Sequence, residues 1–376
     1  MKKSILLAIL LSTMVISGCT GQKEQSHNNP DPANSHPVRA EILAEGLQNP
    51  WSMAFLPDGR ILIAERPGSI RIFAGNELKE EVIEGLPTVW SHGQGGLLDI
   101  VLHPDFETNR LVYLAYASQE NGLGNTTIAR AVLEGNSLSA PEVLFRGQPL
   151  TDKEYHFGCR IVFDSLNHFY FPIGDRGEME NAQLLTNHNG KVMRLHEDGS
   201  IPADNPFVEN MEAKKEIWTY GHRNIQGMAL HPTTRELWTH EHGPKGGDEI
   251  NIEIKGANYG WPLVSFGINY NGTILTNDTT RPGMIDPLHY WVPSIAPCGM
   301  TFVTSDLYPN WKGNLLVGAL AGQQIQRLVL NADNKVIHTE VLFEGMARFR
   351  DIRQGPDGYL YVLTEGPGLF FRVEVE

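Results

Sequence analysis

The sequence predicts an all-β protein, a six-bladed β-propeller with four-stranded antiparallel blades. Three observations carry this reading. One strand-like phrase returns six times along the body, glycine (38) and proline (23) are abundant, and no long helical stripe or heptad run interrupts the pattern.

The phrase is a turn containing Pro, Asp, Asn or Gly, followed by continuous or alternating apolar residues. It reads Pro57-Asp58-Gly59-Arg60-Ile61-Leu62-Ile63-Ala64, then Asn109-Arg110-Leu111-Val112-Tyr113-Leu114-Ala115. Asn167-His168-Phe169-Tyr170-Phe171-Pro172-Ile173 and Thr234-Arg235-Glu236-Leu237-Trp238-Thr239 follow. Lys312-Gly313-Asn314-Leu315-Leu316-Val317-Gly318 and Pro356-Asp357-Gly358-Tyr359-Leu360-Tyr361-Val362 complete the series. About 56 residues per copy accommodate four short strands and their turns, the size of one blade. A β-sandwich has fewer, less regular units, and a parallel solenoid has a shorter period. The uneven spacing predicts long loops at 178–216 and 262–288.

Ahead of this body, Lys2 and Lys3 precede an apolar run at 5–16, and Ser17 and Gly18 lead into Cys19. The run is too short to span a bilayer, which takes about 20 residues, so it reads as a signal peptide. Ile16-Ser17-Gly18-Cys19 resembles the lipobox of bacterial lipoproteins, in which the cysteine is acylated and becomes the first residue. A plain signal peptide cut nearby is the alternative. The expected organisation is a signal at 1–18, a lipidated Cys19 with a flexible polar tether at 19–38, and the propeller at 39–376. The expected location is outside the cytoplasm, anchored to the periplasm-facing membrane surface, in the outer membrane of a Gram-negative cell. Contact with the membrane is expected through the lipid alone.

Forty-four acidic against thirty basic side chains give a net charge of −14, which argues against a nucleic-acid partner. Of three cysteines, only Cys159 and Cys298 remain if Cys19 carries lipid, either paired or buried and free.

Polar clusters fall beside the strand phrases, where a propeller presents residues to its axial channel. They are Ser91-His92-Gly93-Gln94-Gly95-Gly96, Tyr155-His156-Phe157-Gly158-Cys159-Arg160, Ile173-Gly174-Asp175-Arg176-Gly177 and Tyr220-Gly221-His222-Arg223-Asn224. Glu241-His242-Gly243-Pro244, with Gly247-Asp248-Glu249 behind it, and Arg348-Phe349-Arg350-Asp351 complete the set. Taken singly, each has a bland reading as a structural pair, a solvated strand face or a turn aspartate. Together they line a channel in an acidic protein with His, Asp and several Arg. Such a channel suits a small polyanion and a proton acceptor oriented by a carboxylate.

At these residues the chain resembles the soluble pyrroloquinoline-quinone (PQQ) dependent glucose and aldose sugar dehydrogenases, over about residues 40–375. The most specific stretches are Gly221-His222-Arg223-Asn224-x-Gln226-Gly227, Glu241-x-Gly243-Pro244, Asp248-Glu249-Ile250-Asn251 and Asn258-Tyr259-Gly260-Trp261-Pro262. Ile173-Gly174-Asp175, Gly190-Lys191-Val192-x-Arg194-Leu195 and Arg348-x-Arg350-Asp351 follow the same order. The family fold is a six-bladed propeller, in agreement with the repeat count.

The resemblance implies an oxidoreductase that takes an aldose to its lactone, reducing PQQ, which then passes electrons to a quinone or other acceptor. His156 matches the base that takes the anomeric proton, and Asp175 the carboxylate that orients it and favours its charged form. Arg223 matches the arginine that stabilises charge on the reduced quinone. Gln94, Asn224, Arg348 and Arg350 match cofactor-holding side chains. Gly243 and Pro244 match backbone carbonyls for a calcium shared with PQQ, and Glu249 and the Tyr259 carbonyl match part of a second, structural calcium site.

Two departures stand out. The glucose enzymes place a lysine on the cofactor where this chain has Ala321, a loss of about 1–3 kcal/mol if nothing replaces it, with Gln323 or Gln324 as nearby substitutes. His242 stands where they have glutamine. Shorter loops over the sugar site point to a broader aldose specificity. Cys159 and Cys298, close to His156 and Ser294, are expected to form a disulfide between blades. The competing classes are a metal-dependent lactone hydrolase, disfavoured by the arginine-rich channel, and a cofactor-free binding propeller, disfavoured by His156, Asp175 and Arg223 occurring together.

Overall fold

The computed structural model describes residues 36–376, so the expected signal, the Cys19 anchor and nearly all of the tether lie outside the described residues. The first strand, β1 (Val38–Glu45), opens the propeller, and blade 1 follows as β2 (Pro50–Phe55), β3 (Ile61–Glu65), β4 (Ser69–Ala74) and β5 (Glu77–Val82). Blade 2 is β6 (Leu97–Leu102), β7 (Leu111–Glu120), β8 (Leu123–Glu134) and β9 (Ser137–Arg146). Blade 3 is β10 (Val162–Phe163), β11 (His168–Ile173), β12 (Lys191–His196) and β13 (Ile217–Tyr220). Blade 4 is β14 (Ile225–Leu230), β15 (Leu237–Glu241), β16 (Asp248–Ile252) and β17 (His289–Trp291). Blade 5 is β18 (Pro297–Phe302), β19 (Leu315–Ala319), β20 (Gln324–Leu330) and β21 (Val336–Leu342). Blade 6 is β22 (Arg348–Gln354), β23 (Leu360–Glu365) and β24 (Leu369–Val375), completed by β1 pairing antiparallel with β24. The ring thus closes by main-chain hydrogen bonds between the two ends of the domain.

The described residues form six four-stranded sheets, the predicted architecture. Each repeated phrase is the second strand of its blade. Those strands are buried on both faces, fully so in β3, β11, β15 and β19, because each sheet packs against a neighbour on either side. Six apolar clusters fill the interfaces. One joins blades 1 and 2 through Leu62, Ile72, Leu97 and Leu114; another joins blades 5 and 6 through Trp311, Leu316, Phe349 and Phe371. The expected single loop over 178–216 is interrupted by β12, a buried strand whose Lys191 and Arg194 hid it in the sequence. Between β16 and β17, by contrast, residues 253–288 contain no strand or helix, as expected for 262–288.

The inner strands share a device. In blades 1, 2, 4, 5 and 6 the register between first and second strand slips near the start of the inner strand, at Trp51, Leu98, Gln226, Gly299 and Arg350. A bulge re-aims one side chain, and three of these residues thereby reach the axial channel. Blade 3 has only a two-residue inner strand, and the segment before it turns inward instead.

That segment ends in Arg160, 3% exposed. Its guanidinium donates to the carbonyls of Gln226 (3.2 Å), Trp51 (3.1 Å) and Arg350 (3.0 Å), and lies 3.2 Å from Asp351 and 3.7 Å from Asp99. Asp99 accepts from Ile161 N (2.8 Å) and Arg353 (2.6 Å), and Asp351 accepts from Arg353 (2.9 Å) and Met53 N (3.3 Å). One buried side chain therefore bonds to residues of blades 1, 2, 4 and 6 from its place in blade 3.

The expected disulfide is not formed. Cys159 and Cys298 are both free and buried, in blades 3 and 5, which are not neighbours. Cys159 packs with Phe157, Phe171 and Met193, where burial pushes its thiol well above the usual range. The Cys298 sulfur sits 3.2 Å from Arg350 Nη1. Each sulfur is held by partners of its own.

Arg160→Met should lower unfolding free energy by about 3–5 kcal/mol, because it leaves three main-chain carbonyls without their donor and only Arg353 to balance two buried carboxylates. Urea unfolding checks this, and a loss below 1 kcal/mol would mean the axial network is dispensable.

Candidate functional site

In an antiparallel pair, the start of one strand lies beside the end of the next. Residues before each inner strand and after each second strand therefore collect at one mouth of the channel. This brings together Gln94, His156, Arg223 and Asn224 from the first position, joined by Arg348 and Arg350 at the start of β22. Asp175, His242 and Gly243 come from the second, joined by Glu365 at the end of β23.

His156 stands in the left-handed region (φ 60°), a conformation held by its surroundings. Its N–H donates to Gln94 Oε1 (2.9 Å), and Gln94 N donates to Glu154 O (2.7 Å). Arg176, buried with its guanidinium 3.4 Å from the Phe157 ring centre, donates to the carbonyls of Tyr155 and Lys153. Asn224 Oδ1 accepts from Gly158 N (3.3 Å), and Gln226 Nε2 donates to Gly158 O (3.1 Å). A side chain at Gly174 would strike His156 O (2.5 Å) and Asn224 Oδ1 (2.7 Å), so glycine is needed there.

The His156 imidazole lies 2.6 Å, through Nδ1, from Asp175 Oδ1. Asp175 is 1% exposed and accepts also from Gly177 N (2.7 Å) and, on Oδ2, from the Trp261 indole (2.8 Å). Burial alone would raise the Asp175 pKa, but the His156 hydrogen bond and the nearby Arg223 hold it below the usual value. Burial and Arg223 depress His156, outweighing the Asp175 hydrogen bond that acts the other way. Asp175 does favour the charged form of the histidine, as expected, but it does not prevail over burial and Arg223. The pair rests as neutral imidazole and carboxylate, with Nδ1–H fixed on Asp175 and the Nε2 lone pair free to accept a proton.

Beside this pair opens a cavity of about 350 Å³. Its walls include Gln94, Asn224, Arg348 and Arg350, as expected, and also Trp51, Arg66, Gln226, His242 and Glu365. Arg350 stacks 4.0 Å above the Trp51 ring and pairs with Glu365 (2.7 Å), while Arg348 is 3.7 Å from the same carboxylate. Three guanidinium groups thus face one carboxylate. The Trp51 indole N–H is buried with no partner. A cavity with surplus donors and cations fits an anionic, acceptor-rich ligand such as PQQ. Neither Gln323 nor Gln324 lines it, and Ala321 is exposed at the end of blade 5's second strand.

Arg223 faces an adjoining, much smaller cavity with Glu241, Gly243, Glu249 and Tyr259, and His242 borders both spaces. Its volume of about 10 Å³ suits one water or one ion. Burial and Glu241 push Glu249 up to about 8, and Asn251 Oδ1 nearby is buried without a donor. An uncompensated carboxylate and an orphaned oxygen fit a hard cation. Gly243, Glu249 and Tyr259 meet around this one space, and Pro244 does not line it. Gly243 is fixed by donating to Asp248 Oδ1 (2.9 Å), and Asp248 Oδ2 gathers Ser294 (2.7 Å), Ile295 N (2.8 Å) and Ala296 N (2.9 Å).

Sequence reasoning missed the support beneath Arg223. Glu241 accepts from Arg223 N (2.5 Å) and lies 2.8 Å from the fully buried His222, whose other nitrogen is 3.4 Å from Glu253. Burial opposes the charged form of His222, but the two carboxylates win and raise its pKa to about 10. Trp261 was missed as well, although its indole holds Asp175 and its ring lies 5.3 Å from the Arg223 guanidinium. Arg66 and Trp51 had a usable signal. Arg66 follows a second strand just as Asp175 follows β11, and Trp51 opens an inner strand.

Fold and site together define a propeller enzyme class, with a carboxylate-paired histidine beside an anion-accepting axial cavity. The Glucose / Sorbosone dehydrogenase profile matches residues 47–372, and the chain belongs to that family. It is 41% identical over 334 residues to the aldose sugar dehydrogenase YliI of Escherichia coli K12, covering 87% of this chain and 90% of that one. A crystal structure of the soluble aldose sugar dehydrogenase of Escherichia coli in its apo-form superposes with a TM-score of 0.86 at 40% identity, over 90% of this chain and all (100%) of that one. The PQQ-bound aldose sugar dehydrogenase of Streptomyces coelicolor superposes with a TM-score of 0.76 at 27% identity, over 92% of this chain and 100% of that one.

His222→Phe should cost about 3–5 kcal/mol at neutral pH by leaving Glu241 and Glu253 unneutralised. Since the folded pKa is raised, this stabilisation is complete below about 6.5 and fades as pH rises through about 10. Unfolding free energies of both proteins across pH 6–10.5 should converge at the alkaline end; a constant gap would sink the assignment.

Proposed function

We propose that this chain is a PQQ-dependent aldose dehydrogenase that oxidises the anomeric C1 hydroxyl of sugars to the lactone. The observation that carries the reading is the neutral His156, its Nδ1 fixed on ionised Asp175, at the edge of a cavity with three arginines. Gln94, Asn224, Arg348 and Arg350 would hold the cofactor, the Gly243 and Pro244 carbonyls would hold a calcium shared with it, and Glu249 and the Tyr259 carbonyl part of a second, structural calcium. Bound PQQ would supply the two-electron acceptor for the C1 hydride, and calcium a Lewis acid. The chain's own residues supply the rest. His156 Nε2 takes the C1 hydroxyl proton as the C1–H bond breaks, leaving a C=O at C1. Asp175 steadies the imidazolium so formed, and Trp261 keeps that carboxylate in place. Arg223, which donates to His242 O (3.1 Å), offers positive charge where negative charge develops. A quinone or similar carrier would be the onward electron acceptor.

The reading includes export and lipid anchoring at Cys19, with 39–376 as the catalytic domain. Palmitate labelling should mark the wild type and not Cys19→Ser; equal labelling would refute the anchor.

The mature domain, given calcium and PQQ, should reduce an artificial dye with a panel of aldoses. No activity and no absorbance change on adding PQQ would eliminate the dehydrogenase. His156→Ala should bind PQQ yet turn over at least about a hundredfold more slowly. For the wild type, kcat/KM should be flat at neutral pH and fall only below the ordinary histidine value of about 6.5, because His156 is depressed. An acid limb centred above 7 would contradict the site electrostatics.

A further inference from the structure

We propose that Trp51 and Arg66, on the blade 1 wall of the main cavity, form a carboxylate-binding subsite separate from Arg348 and Arg350. The proposal rests on the PQQ reading and assigns one of that ligand's carboxylates to this wall. Arg348 and Arg350 already share Glu365, so part of their charge is spent inside the protein. Arg66 has no carboxylate partner among the described residues. One of its terminal nitrogens donates to the Gly93 carbonyl and lies 3.4 Å from Gly95 O, which aims the fork while leaving other N–H groups unused. These are the glycines on either side of Gln94, so the same guanidinium also shapes the loop beneath His156.

Trp51 lines the cavity at 4% exposure, and its indole N–H is a buried donor without an acceptor. Arg350, stacked at 4.0 Å, holds the ring from one side. The two residues are neighbours because Arg66 N donates to Asn49 O (3.0 Å) at the end of the β2–β3 ladder, where the bulge turns Trp51 toward the axis. A planar carboxylate accepts from a guanidinium fork and an indole N–H together, and neutralises the one cavity arginine that lacks a counter-charge.

Calorimetric titration of the calcium-loaded apoprotein with PQQ tests this. Arg66→Gln should raise Kd about tenfold or more, the size expected for a lost hydrogen bond to a charged group. Trp51→Phe, which keeps the ring under Arg350, should raise it several-fold. Arg66→Lys should recover part of the loss seen in Arg66→Gln, since the charge remains although the fork does not. The ratio between wild type and Arg66→Gln should collapse when the trimethyl ester of PQQ replaces the acid. Binding of PQQ by Arg66→Gln within twofold of wild type would overturn the subsite. So would a loss in Arg66→Lys equal to that in Arg66→Gln, which would mark Arg66 as a loop clamp alone. If Arg66→Gln does not fold, the Trp51→Phe and Arg66→Lys results decide. Failure of the wild type itself to bind PQQ would instead refute the proposed function.

Discussion

The structure depends on one buried guanidinium. A propeller buries its inner strands edge-on around an axis, and their main-chain carbonyls there have no partner strand. Arg160 supplies donors to three of those carbonyls and balances its charge against Asp99 and Asp351. Arginine suits this place because its five N–H donors radiate in one plane. Arg353 closes the same network from below by bridging the two aspartates. The axial channel is thereby floored, and what remains above the floor is the cavity that carries the chemistry.

Above that floor, neighbouring groups are held in opposite electrostatic states by local surroundings. His156 is desolvated and faces one carboxylate with arginines close by, so it stays neutral. His222 is more deeply buried but lies between two carboxylates, so it stays charged. One histidine can accept a proton and the other acts as a fixed cation under the Arg223 backbone. The contrast follows Coulomb's law, because two opposite charges in a low-dielectric site outweigh desolvation and one does not.

Much of the fold was legible, for a reason visible in the burial pattern. The second strand of each blade packs sheets on both faces, so in most blades it opens as an apolar run preceded by a turn, with β15 the most polar of them. Outer strands such as β5 and β21 are half solvated and polar, and they leave little trace. β12 was lost inside an expected loop because Lys191 and Arg194 break its apolar pattern. Lys191 is nonetheless buried, donating to the Asn181 and Asn189 carbonyls (both 2.6 Å). Motif order also marked His156, Asp175, Asn224 and the two C-terminal arginines, and these do converge at one mouth.

The sequence by itself determined the blade count, the order of the strands and which polar groups could meet at the axis. Those depend on periodicity and on the antiparallel hairpin, both local properties of the chain. The tertiary structure decided what distance and desolvation control. It kept the cysteines apart in blades 3 and 5, set the charge states of His156 and His222, gathered three expected metal residues around one small space, and brought Arg66 and Trp51 from blade 1 into the cavity. Each of these outcomes requires knowing which blade faces which, and ring closure through β1 and β24 fixes that only when the whole chain is folded.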